Sequence, residues 1–139
     1  MPGMTESILI VDDNPHNLKL VRVLLLSEGY DVRTAADAEE ALSQLESFEP
    51  RLILMDLQLP GMDGLELTRR LKADPRRRHI AIVALTAYAM KGDDLEALGA
   101  GCDGYVAKPI DIETLPVIVR EQLNRQRGDV DGAPSARVP

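Results

Sequence analysis

The stretch "LILMDLQLPGMDG", residues 52 to 64, decides how the chain is interpreted. A run of apolar residues typical of a buried β-strand ends on Asp56, and one proline and two glycines follow by residue 64. A buried carboxylate is costly to leave without a partner. Asp56 is therefore expected either to cap a neighbouring segment or to take part in chemistry, and the rest of the chain decides between the two.

The alternation seen at this stretch continues along most of the chain. Short apolar or β-branched runs predict five strands, and the segments between them have helical spacing. The predicted strands cover residues 7 to 11, 31 to 35, 51 to 55, 81 to 85 and 104 to 107. Five helices are predicted. The first two begin near residues 15 and 38, and the other three cover 64 to 73, 90 to 99 and 114 to about 126. This order predicts an α/β protein with a doubly wound parallel sheet.

Helix caps are predicted at both ends of the chain. Pro15 suits an early helical position, with Asp13 or Asn14 before it as the cap of the first helix. Pro116 cannot lie deep inside a helix, so the last helix is expected to start late, with Thr114 as its cap.

Length, charge and composition narrow the class of protein. The 139 residues suit one domain, expected over 6 to 127, between a flexible N-terminus (1 to 5) and a disordered tail (128 to 139). A net charge of -7 argues against direct nucleic-acid binding. No segment resembles a signal peptide or a membrane span, so a cytoplasmic location without membrane contact is expected. The single cysteine, Cys102, is interpreted as a packing residue.

Charged and polar residues follow the ends of four predicted strands. Asp12 and Asp13 follow the first strand, Asp56 the third, Thr86 the fourth and Lys108 the fifth. Each alone could be a cap or turn residue, but carboxyl ends of parallel strands share one edge of a sheet, where ligands bind. Carboxylates about 4 Å apart repel by roughly 4 kcal/mol per pair at an effective dielectric near 20, so three need a cation. Mg²⁺ suits oxygen ligands and keeps positions that a phosphoryl oxygen can take.

Four motifs together resemble the receiver domains of two-component response regulators. They are "ILIVDDN", "LILMDLQLPGMDG", "ALTA" and "AKPI", and the resemblance covers roughly residues 6 to 126. Among receivers the chain is most similar to short stand-alone proteins of the DivK type, through "DLQLPGMDGLELTRRLK" and "TAYAMKGD". The resemblance implies a flavodoxin-like or CheY-like fold with strand order 2-1-3-4-5 and five helices.

The resemblance also implies roles for the clustered residues. Asp56 would be the phosphoacceptor that takes a phosphoryl group from a histidine of a histidine kinase or histidine phosphotransfer protein. Asp13 and Asp56, with the backbone carbonyl of Gln58, would bind Mg²⁺ directly, while Asp12 would hold metal-bound water. Lys108 would pair with the phosphoryl oxygens.

A conformational switch is implied in the same way. Thr86 would bond the phosphoryl group, and Tyr105 would turn inward behind it. This would repack the surface of the fourth predicted helix, fifth strand and fifth helix, which a downstream protein target reads. The Lys108-Pro109 peptide is expected to be cis. The resemblance leaves a monomer or a weak phosphorylation-dependent dimer open.

Other polar positions carry weaker hypotheses. Gln58 and Tyr88 would flank the route of water to the aspartyl phosphate. The bulk of Tyr88 predicts slow self-hydrolysis; the alternative is that Tyr88 only packs on the fourth predicted helix. His16 and His79 are expected at the surface rather than in a phosphorelay. The "PRRR" run, residues 75 to 78, is most simply a solvated loop.

Three alternative functions remain open on the sequence. An aspartyl-nucleophile phosphatase of the haloacid dehalogenase kind would resemble "D-x-D", but position 58 is glutamine. A docking module that never takes phosphate leaves the acidic cluster without a purpose. A receiver excised from a hybrid histidine kinase fits the same motifs, although the initial methionine favours a free-standing protein. On the main interpretation the chain is no ordinary enzyme and catalyses only its own phosphorylation and slow dephosphorylation.

Overall fold

The computed structural model describes residues 6 to 59, 61 to 86 and 99 to 130, with side chains described up to residue 126. Five strands and four helices lie in these ranges. The strands are β1 (Ser7–Val11), β2 (Asp31–Ala35), β3 (Leu52–Asp56), β4 (Ala81–Thr86) and β5 (Gly104–Ala107). The helices are α1 (Pro15–Ser27), α2 (Ala38–Leu45), α3 (Gly64–Ala73) and α4 (Thr114–Val130). None of the described helices is long and apolar enough to cross a membrane.

The strands form one parallel sheet in the order β2-β1-β3-β4-β5. The predicted fold class and strand order are therefore confirmed. The first three predicted helices correspond to α1, α2 and α3, and the fifth predicted helix corresponds to α4. The fourth predicted helix, 90 to 99, lies outside the described residues except for its last position, where residues 99 and 100 are helical.

Helices cover both faces of the sheet, which explains the apolar runs of its central strands. On β1, Leu9 faces the side that also buries Leu67 of α3, whereas Ile10 faces the side that buries Val21 of α1 and Leu115 of α4. Every residue of β3 and β4 is buried. A strand buried on both faces needs apolar residues at consecutive positions, so a polar residue within it is expensive unless it has partners.

Two strands extend one residue beyond their predicted ends. β3 covers Leu52–Asp56 rather than 51 to 55, and β4 reaches Thr86 rather than ending at 85. Pairing continues because Asp56 lies opposite Leu85, and the Leu57 N–H donates to the Leu85 carbonyl at 3.1 Å. The extension places both polar residues within the sheet, Asp56 paired with β4 and Thr86 paired with β5.

Of the two predicted helix caps, the one for α1 is confirmed and the one for α4 is wrong. Asn14 caps α1, because its side-chain oxygen accepts from the His16 and Asn17 N–H groups at 2.8 and 3.2 Å. Thr114 is the first residue of α4 and not its cap. Asp111 takes that place, since its side chain accepts from the Glu113 N–H at 2.8 Å.

The C-terminal helix is longer than predicted. α4 continues to Val130 instead of ending near residue 126, so its last three residues fall within the segment expected to be a disordered tail. Residues 131 to 139 and 1 to 5 lie outside the described ranges. The proposed boundaries of the domain remain predictions.

Candidate functional site

Backbone hydrogen bonds between neighbouring strands bring four polar residues to the carboxyl edge of the sheet. The Asp12 N–H donates to the Ala35 carbonyl at 3.1 Å, which ties the end of β1 to β2. The Lys108 N–H donates to the Thr86 carbonyl at 2.8 Å, which ties the segment after β5 to β4. Asp56 ends β3 between them. The edge predicted from the sequence is therefore assembled by the sheet itself.

Three carboxylates meet at this edge. Asp12, Asp13 and Asp56 each offer an oxygen within 4.8 Å of the others. Asp12 and Asp56 are 0% and 2% exposed, whereas Asp13 is exposed. The Lys108 Nζ lies 3.2 Å from Asp56 Oδ2 and 3.5 Å from Asp12 Oδ2. When all three acids are ionised, one ammonium group leaves the cluster with an excess of two negative charges.

The environment of Asp56 favours its neutral form. Burial raises the pKa of Asp56 above its ordinary value of 3.8, and the charge of Asp12 raises it further. The Gln58 N–H, which donates to Asp56 Oδ1 at 3.0 Å, and the Lys108 ammonium act in the opposite direction without overcoming burial. A cation that bound here would therefore stabilise the ionised carboxylate.

The loop after β3 passes close to the backbone of Asp56. A Cβ at Gly64 would overlap the Asp56 carbonyl oxygen and lie 2.8 Å from the Leu57 Cα. The Gly64 N–H donates to the Leu57 carbonyl at 3.2 Å, so the start of α3 is held against the end of β3. Gly61 has a φ of 72°, a backbone conformation that favours glycine. The two glycines that follow Asp56 thus shape the loop around it.

Asp12 has two partners from the segment that opens α1. The Asn14 N–H donates to Asp12 Oδ1 at 2.9 Å, and the Asn17 side-chain amide donates to Asp12 Oδ2 at 3.3 Å. A role for Asn17 was not predicted from the sequence. Its spacing, five residues after Asp12 and in the first turn of the following helix, was the available signal.

The residues implied in a switch lie on adjacent strands. Thr86 is completely buried at the end of β4. The Tyr105 side chain is 42% exposed on β5, so in this structure it points outward rather than behind the threonine. The Lys108-Pro109 peptide is cis, as expected. Tyr88 lies outside the described residues.

Neither histidine is part of the acidic cluster, and Arg77 of the arginine run has its contacts elsewhere. His16 is exposed, and His79 Nε2 lies 2.9 Å from Glu49 Oε2. Arg77 is more than a solvated loop residue, because it lies 3.5 Å from Asp74 Oδ2 and donates to the Leu45 carbonyl at 3.4 Å. These contacts are structural and give neither histidine a place in the acidic cluster.

The donor set fits a hard divalent cation. All three side chains of the cluster offer oxygen, two of them are buried, and the cluster has more negative than positive charge. Oxygen donors of this kind suit Mg²⁺, which commonly takes one or two carboxylates and keeps several water ligands. The exposed position of Asp13 leaves one side of the cluster open to solvent and to an incoming group.

The family model of the response regulator receiver domain matches residues 8 to 120, and the chain belongs to this family. The polar differentiation response regulators named DivK from Brucella ovis and Brucella abortus are each 46% identical to it over 120 residues, which cover 86% of this chain and 98% of theirs. The chain is therefore a response regulator receiver related to DivK, as the motifs predicted.

Solved structures of receiver domains show the same fold. A CheY-like receiver domain protein from Methanospirillum hungatei JF-1 is 34% identical, with a TM-score of 0.83, covering 90% of this chain and 98% of its own. The receiver domain of the sensor histidine kinase PA1611 from Pseudomonas aeruginosa PAO1 is 38% identical, with a TM-score of 0.79, covering 86% and 98%. That structure has a magnesium ion coordinated in its active-site cleft. These matches do not favour the phosphatase or hybrid-kinase alternatives.

Proposed function

We propose that Asp56 accepts a phosphoryl group from a phosphohistidine of a histidine kinase or histidine phosphotransfer protein. The observation that carries this proposal is the position of Asp56. It is a buried carboxylate at the end of a central strand, 3.2 Å from the Lys108 ammonium and within an acidic cluster. Such a carboxylate is held in place but stays reachable from the exposed Asp13 side.

The transfer is a substitution at phosphorus. An Oδ–P bond forms at Asp56 while the P–N bond of the donor breaks, and the leaving imidazole nitrogen keeps the electron pair and takes a proton. Lys108 meets the phosphoryl oxygens and offsets their charge in the transition state and in the aspartyl phosphate. Asp56 must be ionised to attack, and Lys108 favours that form.

The residues that would hold Mg²⁺ are Asp13, Asp56 and the backbone carbonyl of Gln58, with Asp12 holding metal-bound water. When bound, the ion supplies positive charge that lowers the repulsion between the carboxylates and the incoming phosphoryl oxygens. Asp12 is held by two N–H donors in addition to Lys108, so its orientation is fixed before an ion arrives.

Phosphorylation would transmit its signal by changing the surface that a downstream protein binds. Phosphorylation replaces the single negative charge of the Asp56 carboxylate with a phosphoryl group that carries about -1.5 to -2 charges. Thr86, buried on the adjacent strand, moves toward the new oxygens, and Tyr105 rotates from its exposed position into the space that this leaves. A downstream protein binds the resulting surface, which includes β5 and α4; the fourth predicted helix, 90 to 99, also expected there, lies almost entirely outside the described residues. A cytoplasmic location, and a monomer or a weak dimer that forms on phosphorylation, complete the proposal.

A beryllofluoride experiment tests the acceptor and the switch together. With Mg²⁺ and beryllofluoride, the unfolding temperature of the wild type should rise, and Asp56→Asn should not respond. Thr86→Ala should still bind beryllofluoride, yet gain less affinity for a downstream partner than the wild type gains. Equal stabilisation of wild type and Asp56→Asn would contradict the acceptor. Equal activation of Thr86→Ala and wild type would remove only the switch.

A further inference from the structure

Asn17 lies beside the acidic cluster in a way that the proposed chemistry does not yet use. Its side-chain amide donates to Asp12 Oδ2 at 3.3 Å. The Lys108 Nζ lies 3.5 Å from the same oxygen. Asp12 is completely buried, so water cannot readily replace either partner. One carboxylate oxygen is thus shared between a neutral donor and a cation.

The start of α1 holds Asn17 in place. The Asn14 side chain accepts from the Asn17 N–H at 3.2 Å, and the Asn14 N–H donates to Asp12 Oδ1 at 2.9 Å. Both oxygens of Asp12 are therefore bound by one short segment, Oδ1 through the backbone of Asn14 and Oδ2 through the side chain of Asn17. The cap residue Asn14 and the first turn of α1 therefore fix both donors relative to Asp12.

Lys108 is the partner of Asp12 that changes during phosphoryl transfer. Its ammonium lies between Asp12 Oδ2 and Asp56 Oδ2, at 3.5 and 3.2 Å. A phosphoryl group on Asp56 brings oxygens that compete for this ammonium and adds negative charge beside Asp12. Asp12 then has less positive charge beside it, at the moment when repulsion from the phosphoryl group on Asp56 increases. A buried carboxylate in that position moves unless another donor holds it.

We propose that Asn17 is a positioning residue, which keeps Asp12 in place while Lys108 transfers to the phosphoryl oxygens. The inference rests on the proposed function and extends it to a residue of α1. Because the Asn17 amide is neutral, phosphorylation does not draw it toward the new charge as strongly as it draws Lys108. Asp12 therefore keeps its Asn14 and Asn17 donors throughout, and would keep its orientation toward water bound to Mg²⁺.

Mg²⁺ affinity, measured by isothermal titration calorimetry, tests the inference without relying on activity. Asn17→Ala should weaken Mg²⁺ binding about tenfold, at the low end of the range for partners of metal-site residues, because Asn17 is only partly buried. Asn17→Gln, which retains the amide on a longer side chain, should recover part of this loss. His16→Ala is the matched control, since its side chain is exposed in the same helical turn, and its affinity should equal that of the wild type.

Beryllofluoride separates positioning from a general effect on the fold. The Asn17→Ala variant should lose more apparent affinity for beryllofluoride with Mg²⁺ than for Mg²⁺ alone, because Lys108 leaves Asp12 only in the former state. A lower metal-free unfolding temperature with unchanged affinity for both ligands would make Asn17 a purely structural residue and overturn the inference. If the wild type itself binds neither ligand, the proposed function fails. If the wild type binds both ligands and the Asn17 variants bind them equally well, only the inference about Asn17 fails.

Discussion

The two edges of the sheet each hold a lysine and an aspartate in contact, yet the two pairs have different surroundings. Both lysine side chains are 20% exposed. At the amino edge, Lys72 Nζ donates to the Arg78 and Ile80 carbonyls at 3.2 and 2.7 Å and to Asp103 Oδ2 at 3.0 Å. At the carboxyl edge, Lys108 faces two buried carboxylates.

The difference between the edges is one of charge balance. Lys72 meets one charged partner and two neutral ones, and Asp103 also accepts from the Ile82 N–H at 2.8 Å. Such a network ties the loops before β4 and β5 together and needs no further ion. The carboxyl edge keeps an excess of negative charge that the fold does not neutralise. The two edges also differ in burial, because the Asp103 side chain is 41% exposed whereas Asp12 and Asp56 are buried. Buried charge without balance therefore marks the carboxyl edge as the functional one.

Replacing each lysine in turn gives the largest expected contrast. Lys108→Met should lower the rate of phosphorylation by acetyl phosphate at least about hundredfold, because the ammonium group that offsets the negative charge of the phosphoryl oxygens is lost. Lys72→Met, the matched change at the other edge, should leave that rate close to wild type. Similar rates for the two variants would contradict the division between the edges.

Asp13→Asn should weaken Mg²⁺ binding about tenfold or more, because the number of charged ligands sets the affinity of oxygen sites. The metal-free fold should not lose stability, since one of three crowded negative charges disappears. Thermal unfolding with and without Mg²⁺ measures both effects. Metal stabilisation equal to that of the wild type would exclude Asp13 as a ligand.

Removing an aspartate should have opposite effects on stability at the two edges. Asp56→Asn should raise the metal-free free energy of unfolding at neutral pH by about 1 kcal/mol, because functional sites commonly sacrifice stability. Asp103→Ala should lower it by about 1 to 2 kcal/mol, because the Ile82 N–H and Lys72 lose their acceptor. Urea unfolding measures both, and changes of the same sign would contradict the comparison.

The smallest effect concerns pH. The pKa of Asp56 is raised above 3.8 in the fold, chiefly by burial, so the folded state binds its proton more tightly than the unfolded state. Wild-type stability therefore falls, relative to Asp56→Asn, as pH rises from 3.8 through the raised pKa, and above that pKa the difference is constant. Metal-free urea unfolding across this range should show the gap between the two proteins narrow toward acid. A gap independent of pH would contradict the raised pKa.

Sequence patterns were sufficient for the sheet because periodicity and strand–helix alternation are local. They also placed Asp12, Asp13, Asp56, Thr86 and Lys108 at one edge, since the carboxyl ends of parallel strands must meet. They missed the last residues of β3 and β4, where backbone pairing rather than side-chain pattern decides the end. They also missed Asn17, whose spacing from Asp12 was the one available signal, because only the folded chain shows the contact between the two side chains.

The contacts at the amino edge of the sheet could not be predicted from the sequence either. Lys72 and Asp103 lie 31 residues apart and neither follows the end of a predicted strand, so no pattern in the sequence predicts that they form a pair. Arg77 was interpreted as part of a solvated loop, although its contact with the Leu45 carbonyl joins that loop to the end of α2. Contacts between distant segments decide such roles, and only the folded chain shows them.

Mapping the phosphoryl group by mass spectrometry tests the central claim most directly. The wild type and Asp56→Asn are incubated with acetyl phosphate and Mg²⁺, and each protein is cleaved into peptides at acidic pH, where acyl phosphates survive best. The account predicts one added phosphoryl group in the wild type, on the peptide that contains Asp56, and none in the variant. A phosphoryl group on another residue of the wild type, or none at all, would contradict the account.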